Sequence, residues 1–127
     1  MQYDLVIKGA HVIDPAQNID RVTSVAITDN KIAAVADNID PADAKRVIDA
    51  TGKWVTPGIV DAHSHVAAES INEGSVSVSA MVGIRDVLNP DQVSIYRALG
   101  GGVTSANILH GSANPIGGQN AVVKLRW

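Results

Sequence analysis

Short Val- and Ile-rich runs fill residues 1–56, at 3–8, 9–13, 22–28, 31–36, 46–49 and 53–56, and Asp-Pro, Asp-Asn and Thr-Gly pairs separate them. β-Branched side chains lose rotamer freedom in a helix and pack well on a pleated surface, so runs of this length between turn residues are strands. Asp29-Asn30 lies between two of the runs, where residues tolerating positive φ close a tight hairpin. The segment reads as a small antiparallel sheet. In Asp4-Leu5-Val6-Ile7-Lys8 the apolar residues are successive, which predicts a first strand covered at least partly on both faces. Aromatic residues are 3% of the chain with no Phe, so its core is built from Val, Ile, Leu and Ala; at 46% hydrophobic and 18% charged the composition supports one.

The pattern changes at Pro57-Gly58. A short apolar strand, Ile59-Val60-Asp61-Ala62-His63, is followed over 67–83 by a stretch with no helical period, read as a loop in which Val76 and Val78 allow a short alternating strand. A connection this long is commonly an active-site loop. Asn89-Pro90-Asp91-Gln92 predicts a helix start, with Asn89 as the cap, Pro at the first turn and Gln92 closing a capping box. Val93, Tyr96 and Leu99 give the helix an apolar face, and Gly100-Gly101-Gly102 ends it in a left-handed conformation. A strand over 103–109 ends at His110, and a loop over 111–119 leads to a last strand over 121–125. Strand, loop, helix, strand is one βαβ unit, whose ligand site lies at the carboxyl ends of its strands. Both ends carry a histidine.

Ten Lys and Arg against thirteen Asp and Glu leave a formal charge of -3 with no basic cluster, so the footprint of a nucleic-acid binder is missing. The lack of Cys excludes disulfides, thiolate metal sites and a thiol nucleophile. Met1-Gln2-Tyr3-Asp4 has no basic n-region, and no apolar run approaches the roughly 20 residues of a membrane helix. A soluble, cytoplasmic protein without nucleic-acid or membrane partners is expected.

His63-Ser64-His65 is the sharpest chemical feature. Residues two apart on an extended chain share a face, so both imidazoles can occupy corners of one metal coordination sphere, and Asp61 has the same parity. No Lys or Arg occurs between Trp54 and Ile84 to compete. A bare His-x-His is more often a pair of surface histidines, and the context decides. Val55-Thr56-Pro57-Gly58-Ile59-Val60-Asp61-Ala62-His63-Ser64-His65-Val66 resembles the first barrel strand of the amidohydrolase superfamily. The runs at 4–9 and 29–35 resemble its N-terminal β-sandwich, closest to the dihydroorotase and deacetylase branch. Residues 95–105 resemble the helix and Gly-Gly-Val-Thr-Thr strand that follow, and 111–119 resembles a loop of imidazolonepropionase- and prolidase-like members.

The resemblance implies a mixed α/β fold: an N-terminal β-sandwich segment over 1–56, then the first βαβ unit of an incomplete (β/α)₈ TIM-like barrel over 57–127. His63 and His65 inherit the role of ligands to a catalytic divalent metal, zinc by default, with Mn, Fe or Co open to such donors. The parent protein is then a metal-dependent amidohydrolase that cleaves the C–N bond of a small amide or cyclic amide with metal-activated water. At 127 residues the chain is about half of the roughly 250 a full barrel takes. It lacks the family's later ligands, a Lys or Glu, two His and an Asp, and is expected to be inactive in isolation. His110 and Asn114 are candidate substrate-binding residues. His110 is also open to a third-ligand or a plain loop role, and Asn114 and Gln119 to loop shaping. Glu69 and Glu73 read as loop charges. Exposed strand edges predict self-association. The alternative reading is a non-catalytic β-rich binding or assembly module derived from the same fold.

Overall fold

The computed structural model describes residues 2–72 and 74–127, so the reading of Glu73 as a loop charge lies outside the described residues. The chain divides into two compact units, Met1–Pro57 and Gly58–Trp127. It is mixed and sheet-rich, with one α-helix among the described residues.

The first unit holds strands β1 (Tyr3–Asp14), β2 (Ile19–Thr28), β3 (Lys31–Ala36), β4 (Ala44–Asp49) and β5 (Trp54–Val55) in one sheet, ordered β3-β2-β1-β4 with β5 also on β1. The two runs expected at 3–8 and 9–13 are one strand. Gly9 sits at φ +70° where the register against β2 shifts between Ile7 and Ala10, so a bulge joins them without ending the pairing. Asp29 and Asn30, at φ +50° and +59°, close the β2–β3 hairpin as expected.

The sheet is mixed rather than antiparallel. β4 and β5 both pair with β1 in parallel, because residues 37–43 carry the chain to the opposite edge of the sheet through a short 3₁₀ turn at Pro41–Asp43, with the Asp40 carboxylate accepting from the Ala42 N–H at 2.9 Å. Ala10, Val12, Val25 and Ala50 form the buried core, flanked by Ile7, Ile19, Ile27, Val35 and Val55. Val6 is fully buried, and its neighbours Leu5 and Ile7 are half-buried, as expected of a strand covered on both faces.

In the second unit β6 (Ile59–Ser64) pairs in parallel with β7 (Val103–Ile108), and β7 pairs antiparallel with β8 (Ala121–Lys124). Helix α1 (Val93–Gly100) lies in the crossover between β6 and β7. Its buried stripe is Ile95 with half-buried Ala98 and Leu99, whereas Val93 and Tyr96 are 50% and 58% exposed. Spacing by threes and fours fits both stripes, and the one that meets Ala67, Val103 and Leu125 is the one buried. Asn89 does not cap the helix. Its Oδ1 accepts from the Asp91 N–H at 3.0 Å in a local turn, and the helix begins four residues later than Asn89, behind Gln92. At the other end Gly101 stays right-handed, and Gly102 takes φ +90°. Ile84, Ala106, Ile108 and Ala121 form a second buried cluster.

The long loop after β6 is tied to the loop after β7. Ser79 N–H donates to Ile116 O (2.9 Å), Gln119 N–H to Val82 O (2.8 Å), Ile84 N–H to Gln119 O (2.9 Å) and Gly111 N–H to Ile71 O (2.8 Å). Val78 pairs with Ile116 and Gly83 with Gln119 as parallel bridges, so the expected strand character at Val78 is used between loops. No helix of the described residues is long and apolar enough to cross a membrane.

Candidate metal centre

The β6–β7 ladder is interrupted where the histidines stand. Register shifts between Asp61 and Ser64, so backbone pairing skips Ala62 and His63. The Asn107 side chain bridges the gap, its Nδ2 donating to Ala62 O (3.2 Å) and its Oδ1 accepting from Asn120 Nδ2 (2.6 Å). Asp61 turns its carboxylate back to the His63 N–H at 3.2 Å, which fixes the local backbone.

His63 and His65 are both exposed, with ring centroids 5.4 Å apart at an interplanar angle of 83°. Two imidazoles binding one tetrahedral zinc at about 2.0–2.1 Å have centroids about 5 Å apart, so the observed separation suits a shared ion. The Nδ1 of His65 lies 3.0 Å from Leu109 O. A carbonyl only accepts, so Nδ1 carries a proton in this contact, and the tautomer it selects for a neutral imidazole has its lone pair on Nε2. A hydrogen bond of this kind orients metal-binding histidines. The donor set therefore fits two corners of a divalent-metal sphere. Among the described residues no group of three or more His, Cys, Asp or Glu side chains comes together to hold an ion. His110 is accordingly not gathered in as a third ligand; its Nδ1 donates to Gly111 O at 3.0 Å.

His63, His110 and Asn114 do share a cavity of about 420 Å³, with Ser112, Gly117 and Asn120 on its wall. Asn114 is buried, and its Nδ2 donates to Val76 O at 2.8 Å. Gln119 Nε2 donates to Ala80 O at 3.2 Å. Both amides thus shape the paired loops. Glu69 accepts from Asn89 Nδ2 (3.3 Å) and Gln92 Nε2 (3.2 Å).

Sequence reasoning missed Asn107 and Gln92. An Asn within an otherwise strand-forming run was the available signal for the first, since Asn is depleted in strands. Gln92 gave none beyond the capping-box pattern that pointed to the wrong partner.

No protein-family profile matches the chain. Over 63 residues it is 52% identical to a dihydroorotase of Anaeromyxobacter dehalogenans, a match covering 49% of this chain and 14% of that protein. An allantoinase of Salmonella choleraesuis is 46% identical over 67 residues, covering 53% of this chain and 14% of its own. The crystal structure of an amidohydrolase from Thermotoga maritima matches 98% of this chain with a TM-score of 0.83 and 39% identity. The chain belongs to the amidohydrolase superfamily. It corresponds to an N-terminal portion of an amidohydrolase and spans 14% of the two curated relatives and 34% of the Thermotoga protein.

Proposed function

We propose that this chain contributes the first two metal ligands, His63 and His65, of an amidohydrolase that cleaves a C–N bond in a small amide or cyclic amide. The supporting observation is the histidine pair itself: two rings 5.4 Å apart at the end of β6, one of them held by Leu109 O with its Nε2 lone pair available. The dihydroorotase and allantoinase relatives supply the reaction class. In this reading the first unit is one layer of a β-sandwich and β6-α1-β7 opens a (β/α)₈ barrel, with the active site at the carboxyl ends of its strands.

When bound, a divalent ion, zinc by default, supplies Lewis acidity toward a carbonyl and makes water a better nucleophile. The chain's own side chains hold and orient. Leu109 O fixes the His65 tautomer, and Asp61 fixes the backbone at His63. In the cavity beside His63, His110 has its Nδ1 proton committed to Gly111 and offers Nε2 as an acceptor for a substrate N–H. Asn114 holds the wall. Catalytic zinc takes three protein ligands and the described residues of this chain bring two, so metal binding without turnover is the behaviour expected of it.

Titration calorimetry with zinc chloride tests the ligand pair. Binding by the 127-residue chain, abolished by His63→Ala, is the expected result. No heat above the buffer blank, or the same isotherm in the variant, refutes the assignment.

A further inference from the structure

Two residues beyond His65 the backbone is strained. Ala67 has φ +61° in a turn in which the Ala68 N–H donates to His65 O at 3.2 Å. A turn with positive φ at its third residue calls for Gly or Asn, and Ala carries a steric penalty there. The methyl group has a use, because Ala67 is 5% exposed and packs with Ile95 and Leu125. Something must therefore hold the turn against its own preference.

Both polar groups of Ala67 are gripped from the segment preceding and opening α1. Its N–H donates to Gln92 Oε1 at 2.8 Å and lies 3.3 Å from Ser94 Oγ, and its carbonyl accepts from the Asn89 N–H at 2.7 Å. Gln92 is itself oriented at both ends of its amide, since Ser94 Oγ donates to Oε1 and Nε2 donates to Glu69 Oε1 at 3.2 Å. Gln92 is a short-range clamp across a sequence separation of 25 residues, closing on the turn that begins at His65.

We propose that Gln92 is a positioning residue for the metal ligand His65: by holding Ala67 in the left-handed region it sets the exit of β6 and keeps the imidazole on Leu109 O. The inference rests on the reading of His65 as a ligand, and two separate measurements on the 127-residue chain test it. The first needs no metal. Long-range ¹H–¹⁵N spectra of the free chain report the His65 tautomer, which is expected as a single Nδ1–H form in wild type and as a mixture in Gln92→Ala. The second is zinc affinity by calorimetry, expected to fall about tenfold in Gln92→Ala, the size typical of losing an outer support of a metal ligand. Adding Ala67→Gly removes the steric penalty that the clamp opposes and is expected to recover most of the tenfold. Should Gln92→Ala fail to fold, Glu69→Ala releases one end of the clamp from an exposed position and shifts both readouts in the same direction by a smaller factor. Unchanged His65 spectra and unchanged zinc affinity in a folded variant overturn the proposal. If wild type binds no zinc, the ligand reading falls and the His65 spectra alone decide whether the clamp exists.

Discussion

Ile108 ends β7 one residue before the carbonyl that orients His65, and it is fully buried among Ile84, Ala106 and Ala121. Ile108→Ala removes three carbons, about 2.4 kcal/mol at about 0.8 kcal/mol each. The residual cavity adds about 1 kcal/mol more, placing the loss at about 3–4 kcal/mol, inside the usual range for such truncations. The Leu109 N–H donates to Ser64 O at 3.0 Å and reports directly on the end of the β6–β7 ladder. If that amide exchanges through opening of the second unit, its hydrogen-exchange protection falls by about 300-fold in Ile108→Ala, since about 1.4 kcal/mol is a factor of ten. Ile108→Val removes one carbon and costs about 1 kcal/mol, roughly fivefold in protection. Residue-resolved exchange by NMR measures both. A loss below about 30-fold for Ile108→Ala, or equal losses for the two variants, refutes the assignment of Ile108 as the packed anchor of this strand end.

A Cβ at Gly118 meets Val82 O at 2.7 Å and His110 Cδ2 at 3.0 Å, so Gly118→Ala forces apart the two loops and is expected to cost about 1–3 kcal/mol in urea unfolding; a change under about 0.5 kcal/mol contradicts the close approach. Gly9→Ala combines φ +70° with a Cβ 3.1 Å from Thr51 Oγ1 and is expected to lose about 1–2 kcal/mol by thermal unfolding, whereas a neutral result means the bulge relaxes. The Lys45 ammonium, 2.7 Å from Asp4, together with the Asp29 N–H at 2.8 Å, holds the Asp4 carboxyl below the ordinary aspartate value. A carboxyl depressed in the folded state stabilises above its unfolded pKa, and that contribution is lost as pH falls through the folded one. Lys45→Met is therefore expected to move the Asp4 NMR titration midpoint upward and to flatten the acid limb of the stability curve; an unmoved midpoint means the exposed pair is not made in solution.

Local chemistry was legible in the sequence wherever the determinants were neighbours in the chain. Asp29-Asn30 made the hairpin it promised, because two residues suffice to set a turn. His63 and His65 could be paired from a spacing of two, although β6 ends at Ser64 and the His65 ring is held by Leu109 O, a partner no local pattern names. Sheet order was not legible: the run at 44–49 is equally good beside β3 or beside β1, and the connection through Pro41 decides it. The helix carried two apolar stripes, and only the partner surface distinguishes Ile95 from Tyr96. Asn89 had the chemistry of a cap and used it on Asp91, one of several local bonds open to an amide before a proline. Asn107 and Gln92 act on Ala62 and Ala67 across separations of 45 and 25 residues, which no local pattern encodes.

The bridges that join Val78 to Ile116 and Gly83 to Gln119 make the two loops a single inheritable piece. An insertion in one is expected to put its partner out of step and to displace the wall that carries His110 and Asn114. Variation in the shape of this cavity is therefore expected to arise by exchange of both loops together, and an engineer who grafts one onto another scaffold must bring its companion.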